Sequence, residues 1–198
     1  MTVALLTEEP LAPPAELGPY RRADYLALPE EPRCELIYGR FFMSPSPSLR
    51  HQVVLLQLAR RLHDIARSLG GLLLVAPMDV TLAEHSVVQP DLVYLRPESR
   101  KLVGERVEGA PDLLVEILSP GTARRDRVQK LGLYAEAGVK EYWLVDPREQ
   151  QIEFLVNEGG RFVVALPSAS EYRSRALPEL RLDLEAFWAE VAAELPLP

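Results

Sequence analysis

The segment from Asp112 to Lys130, DLLVEILSPGTARRDRVQK, limits the possible folds of this chain more than any other. Its first half is a run of apolar residues, Leu113, Leu114, Val115, Ile117 and Leu118, bounded by Pro111 and Pro120. A short run of this kind predicts a central strand covered on both faces. Glu116 sits inside it. An ionised carboxylate there costs several kcal/mol in desolvation unless a positive partner compensates it. A metal ion is one such partner, and a buried lysine or arginine is another. Ser119-Pro120-Gly121 breaks the strand, and Thr122 is placed to cap a helix that carries Lys130 back over it.

The chain has 198 residues, which suits one α/β domain with a substantial core. No apolar run reaches the roughly 20 residues of a membrane span, so no membrane partner is expected. The N-terminus has neither the basic start nor the long apolar core of a secretory signal. Cys34 is the single cysteine, which excludes an intrachain disulfide and argues against a zinc cluster. Both features fit a cytoplasmic location. With 22 lysines and arginines against 29 acidic residues, the net charge is −7. That disfavours tight nonspecific binding to nucleic acid, which works by neutralising phosphates, but leaves room for a local basic groove.

In chain order, residues 1–19 are proline-rich and aperiodic and predict a flexible arm, followed by one domain over 20–198. Ala23 to Leu28 predicts a short helix. Cys34 to Ile37 and Arg40 to Met43 predict a hairpin turning at Tyr38-Gly39. Ser44 to Ser48 is a loop that can end in an N-cap. Val54, Leu55, Leu58, Leu62, Ile65 and Leu69 recur at three- and four-residue steps, so 49–69 reads as a helix. Leu72 to Ala76, Asp79 to Leu82 and Val87 to Leu95 read as strands, the last with Pro90 marking a start, an edge or a bulge. Residues 96–110 read as a loop with a short helix. A helix is expected over 123–137, stopped by Gly138, then a strand at Glu141 to Val145. A hairpin is expected from Gln151 to Val156 and Arg161 to Ala165, and a last helix from Leu184 to Glu194.

Four residues carry the candidate chemistry. Asp91 enters an apolar strand after Pro90, and Glu116 lies in the next one. Two hard oxygen ligands on adjacent strands suit Mg²⁺ or Mn²⁺. Lys130, on the helix turning back over the strand ends, can reach a water and a substrate phosphate. Glu35 is a further carboxylate that can orient the site or hold a second ion. Each has a plainer alternative. Asp91 can cap a bulge, Glu116 can pair with an arginine, Glu35 can face solvent, and Lys130 can form a surface pair with Asp126. Arg124, Arg125 and Arg127 can line a phosphate groove or form a solvated basic face. Gln89, two residues before Asp91 on the same strand face, is a candidate substrate contact. His51 reads as a helix-start residue, and Tyr142 and Trp143 as core.

The Pro90-Asp91, Glu116 and lysine pattern resembles the PD-(D/E)XK nuclease superfamily, the restriction-endonuclease-like fold. Within it, VQPD at 88–91, EILSP at 116–120, DRVQK at 126–130 and GVKEYWLVDP at 138–147 resemble a bacterial family named "putative restriction endonuclease". The resemblance spans residues 20–190. It implies an α/β fold with a central mixed β-sheet flanked by helices and extra β-hairpins. It also implies that Asp91, Glu116 and the Ile117 carbonyl bind Mg²⁺ or Mn²⁺. Leu118 stands where the superfamily's lysine usually follows the acidic residue, and Lys130 matches a lysine relocated to the next helix. Glu35 matches an acidic position ahead of the core. The implied activity is metal-dependent hydrolysis of DNA phosphodiesters. The alternative is a non-catalytic module on the same fold that binds nucleic acid or a protein. Cutting both strands is often done by two-fold dimers, so a homodimer or higher homo-oligomer is compatible with the first.

Overall fold

Alternation along the central strand decides how the layers stack. A computed structural model describes residues 16–29 and 31–195. In it, β8 (Leu113–Ile117) sends Leu113, Val115 and Ile117 to one apolar cluster and Leu114 to another, with Leu118 following on that second side. The first cluster is closed by α2 (Leu49–Ser68) through Val54, Leu58 and Leu62, and by α5 (Leu184–Glu194) through Phe187 and Val191. The second is closed by Leu133, Tyr134 and Val139 and by residues of another sheet, including Ile37, Phe42, Val80 and Val88. Glu116, between Leu114 and Leu118, alternates onto this second side.

The chain begins with α1 (Arg22–Leu26) and the hairpin of β1 (Cys34–Ile37) and β2 (Arg40–Met43). Its two-residue turn places Tyr38 at φ 49° and Gly39 at φ 74°, a conformation for which glycine is the natural residue. After α2 come β3 (Leu72–Val75), β4 (Val80–Ala83), β5 (Ser86–Val88) and β6 (Leu92–Leu95). A 3₁₀ turn over Pro97–Leu102 and the short β7 (Val107–Glu108) precede β8. A helical segment then runs through α3 (Ala123–Arg125), a π-helical turn (Asp126–Lys130) and α4 (Leu131–Ala137). It stops at Gly138, whose φ is 89°. The strands β9 (Glu141–Asp146), β10 (Gln151–Asn157), β11 (Phe162–Val164), β12 (Glu171–Arg173) and β13 (Arg181–Asp183) lead to α5.

The central sheet has six strands in the order β11-β10-β9-β8-β6-β3. Only β8 and β9 run parallel within it, with Glu116 opposite Leu144, so the sheet is mixed. A five-stranded sheet, β2-β1-β5-β4-β7, packs on one side, and β12-β13 form a separate hairpin.

Several expectations need correction. Val87 to Leu95 is not one strand: the chain breaks at Gln89-Pro90-Asp91, and β5 and β6 belong to different sheets. Proline has no N–H for a ladder, which is why the switch falls there. Thr122 makes no capping bond to α3; its hydroxyl instead lies 3.0 Å from that of Ser119. The helix over 123–137 carries a π turn in its middle. The β12–β13 hairpin and β7 were not anticipated. Most of the expected arm, residues 1–15, lies outside the described residues. Its end is tied down, because Gly18 N–H donates to the Tyr38 carbonyl at 2.7 Å.

The β12–β13 hairpin is fastened to the central sheet through Glu141, which is fully buried at the start of β9. Its carboxylate accepts from Trp143 Nε1 at 2.7 Å, Tyr172 OH at 2.8 Å, Ser174 Oγ at 2.8 Å and the Ala176 N–H at 2.6 Å. Hydrogen bonds to a charged acceptor contribute more than neutral ones, and buried donors left without a partner are costly. Glu141→Ala should therefore lower unfolding stability by about 3 kcal/mol or more. A urea midpoint that does not move would contradict this role.

Candidate active site

The site is built where the two sheets and the helical segment meet. Glu35 comes from β1, Glu116 from β8, and Asp126 and Lys130 from the π turn. Asp91 comes from the break just before β6. β6 and β8 are antiparallel neighbours with Leu92 opposite Val115, which brings Asp91 beside the end of β8. The Ile117 N–H donates to Asp91 Oδ2 at 2.7 Å. Asp91, Glu116, Lys130 and Glu35, expected from sequence to act together, all line one cavity of about 330 Å³. His51, Gln89, Ile117, Arg125 and Asp126 line it too.

Lys130 is the centre of the cluster. It is only 3 % exposed. Its ammonium donates to Glu116 Oε1 at 2.8 Å, and it lies 2.8 Å from Glu35 Oε1 and 3.4 Å from Asp126 Oδ1. The surface pair with Asp126 is therefore not what the residue makes; both partners are buried. Tyr134 OH also donates to Glu116 Oε1, at 2.7 Å. Glu35 does not face solvent. It receives Lys130, the Gln89 N–H at 2.8 Å and, at 3.5 Å, the Arg125 guanidinium.

The electrostatics follow from this sharing. Burial pushes Glu116 well above the ordinary carboxylate range. Lys130 opposes the rise, while Asp126, Asp91 and Glu35 add to it. Burial also raises Asp126, to about 6, against the pull of Lys130. Glu35 moves the other way. Burial would raise it, but Lys130 and Arg125 together hold it below its usual value. The same ammonium sits on both glutamates; Glu35 has a second cation, whereas Glu116 has three carboxylates near it. Burial would lower Lys130, yet Glu116, Glu35 and Asp126 hold it well above the ordinary lysine value.

The other sequence candidates are placed less uniformly. The Gln89 side chain donates to Asp79 Oδ1 at 2.9 Å and to Tyr25 OH at 3.2 Å. It does not share a strand face with Asp91, because the strand has ended. Arg125 is buried, donates to the Met43 carbonyl at 3.2 Å and stacks 4.9 Å above the Phe42 ring. Arg127 pairs with Glu153 and, at 3.8 Å, with Asp146. Arg124 is exposed. Neither Arg124 nor Arg127 lines the cavity, so the three arginines do not form one groove. Tyr142 and Trp143 are core, as expected. Three site residues, Asp126, Tyr134 and His51, went unrecognised in the sequence. Asp126, Lys130 and Tyr134 are spaced by four, a signal that one helix face carries all three. His51 gives no such signal; its Nε2 lies 3.2 Å from Asp91 Oδ1.

A divalent cation fits the donors present. Asp91 Oδ2 takes one hydrogen bond and Oδ1 has one close polar neighbour, so lone pairs remain on both oxygens. Among the described residues, no hydrogen bond falls on Glu116 Oε2. The carboxylates outnumber the cations paired with them, Lys130 and Arg125. Among the described residues, no group of three or more His, Cys, Asp or Glu side chains is already placed to hold a metal ion. Two carboxylates with a backbone carbonyl, leaving positions for water and phosphate, is how Mg²⁺ is commonly held.

The raised carboxylates set the pH dependence. Asp126 has a folded pKa of about 6 against an ordinary value of 3.8, so its protonated form is favoured by folding. Its contribution is fully present below the unfolded value and is lost as pH rises through the folded one. In metal-free buffer, the stability of the wild type relative to Asp126→Asn should fall as pH rises from about 4 to above 6. A difference between the two proteins that stays constant over that window would contradict the raised pKa.

Comparison with known proteins agrees with this fold. A solved structure, described as a "putative nuclease belonging to DUF820" from Anabaena variabilis ATCC 29413, superimposes with a TM-score of 0.74 at 20% identity. The match covers 87% of this chain and 99% of that one, so the two share a fold. No curated protein sequence matches. Among the described residues, no helix is long and apolar enough to cross a membrane. The model of the family Uma2, described as "Putative restriction endonuclease", matches residues 22–185, and the chain therefore belongs to that family.

Proposed function

We propose that this protein is a metal-dependent endonuclease that hydrolyses DNA phosphodiester bonds. One observation carries the reading: a lysine, two glutamates and two aspartates are gathered, mostly buried, in a single cavity at the end of the central sheet. A core has no use for that many carboxylates, since burying them costs stability. Asp91, Glu116 and the Ile117 carbonyl would hold Mg²⁺ or Mn²⁺. The bound ion would supply an acidified water and charge neutralisation at the phosphate.

The remaining roles belong to the side chains. Lys130 orients the attacking water and stabilises the negative charge that builds on the phosphoryl oxygens. Glu35 seats the ammonium from the opposite sheet, and Tyr134 fixes the Glu116 carboxylate. Lys130 thus arrives from the helix at the place where Leu118, 7 % exposed and part of the core, cannot serve. The acidic net charge suits a substrate gripped at one site rather than along a broad basic surface.

The test is nicking of supercoiled plasmid with Mg²⁺ or Mn²⁺ by the wild type, Glu116→Gln and Lys130→Ala. Glu116→Gln keeps the shape and removes a ligand charge; Lys130→Ala removes the orienting cation. Each variant should lose about a hundredfold or more in rate, in the range of lost transition-state donors. With Ca²⁺ in place of the active metal, DNA binding by Lys130→Ala should fall less than cleavage does. Nicking that survives Glu116→Gln would overturn the proposal. DNA binding by the wild type with no nicking by any of the three proteins would identify a non-catalytic module instead.

A further inference from the structure

Asp91 has one neighbour to which the roles above assign nothing. His51 is the third residue of α2, and its N–H donates to the N-cap hydroxyl of Ser48 at 3.2 Å. The start of the helix therefore fixes where the residue stands. Its side chain is 12% exposed and lines the cavity. Nδ1 is buried without a hydrogen-bond partner among the described residues. Nε2 lies 3.2 Å from Asp91 Oδ1. A buried imidazole ordinarily spends its nitrogens on hydrogen bonds or on a metal. Here helix capping uses only the backbone of His51, and Asp91 is the one polar partner its ring has among the described residues.

The separation from Asp91 is informative. Two neighbouring ligand atoms, each about 2.1 Å from a six-coordinate cation, stand about 3 Å apart. We propose that His51 Nε2 is a direct ligand of the cation held by Asp91, and that it makes the site prefer Mn²⁺ to Mg²⁺. This rests on the metal-dependent reading given above. Mg²⁺ takes oxygen ligands and gives up water reluctantly, so an imidazole adds little to its binding. First-row transition ions accept imidazole nitrogen readily. His51 and Asp91 form the part of the site already in place. Glu116 adds its charge from the neighbouring strand, with Oε1 occupied by Lys130 and Tyr134.

The experiment uses the full chain, stripped by a chelator and titrated with Mn²⁺, followed by electron paramagnetic resonance with Mg²⁺ as competitor. Spin-echo envelope modulation of the bound ion then reports whether a nitrogen is coordinated. The wild type should bind Mn²⁺ at least about tenfold more tightly than Mg²⁺ and show nitrogen coupling. His51→Ala should lose the coupling and about tenfold or more in Mn²⁺ affinity, with Mg²⁺ affinity changed less than about threefold. His51→Asn, close in volume, serves if the alanine variant does not fold; the wild-type coupling needs no variant at all. Bound Mn²⁺ without nitrogen coupling in the wild type overturns the proposal and leaves the metal site standing. A wild type that binds neither ion removes the metal site and this ligand together.

Discussion

One buried ammonium holds the candidate site of this protein together. Lys130 reaches Glu116 in the six-stranded sheet and Glu35 in the five-stranded sheet from a helix packed between them. Taking one of these charges away would leave carboxylates in a place that water does not reach well, a change that typically costs about 3–5 kcal/mol. The lysine is also insufficient. It keeps Glu35 ionised with help from Arg125, yet Glu116 and Asp126 remain strained toward the protonated form. Residual negative charge in a polar cavity is what a divalent cation offsets, so the same arrangement that braces the fold prepares the site.

The break at Gln89-Pro90-Asp91 has a comparable double use. It lets the chain leave one sheet and enter the other within three residues. The Gln89 N–H, freed from a ladder, holds Glu35, while its side chain donates to Asp79 and Tyr25. Asp91 then meets the end of β8 through the Ile117 N–H. The π turn acts in the same way on the helical side. Insertion of an extra residue per turn is frequent at functional sites, and here it spans Asp126 to Lys130.

Much of this was legible in the sequence because the signals were local. The apolar run around Glu116 marked the central strand, and the periodicity from Val54 to Leu69 marked the long helix. The carboxylate in an apolar strand pointed to a compensating cation, leaving open whether a metal or a lysine; Lys130 fills that place in part. What could not be read depended on distant partners. Nothing near Glu35 in the chain says that Lys130 will sit on it, and nothing near Arg127 says that Glu153 will claim it. Gln89 was misplaced because a break and a continuous strand look alike until the second sheet is known. His51 carried a local role as a helix-start residue, which hid its proximity to Asp91.

The most direct measurement is a crystal grown with Mn²⁺, with anomalous differences collected at the manganese edge. A metal site built from the ends of two strands predicts a peak bounded by Asp91, Glu116 and the Ile117 carbonyl, with Lys130 still beside Glu116. A cavity without a peak at millimolar Mn²⁺, or manganese bound elsewhere on the chain, would contradict it.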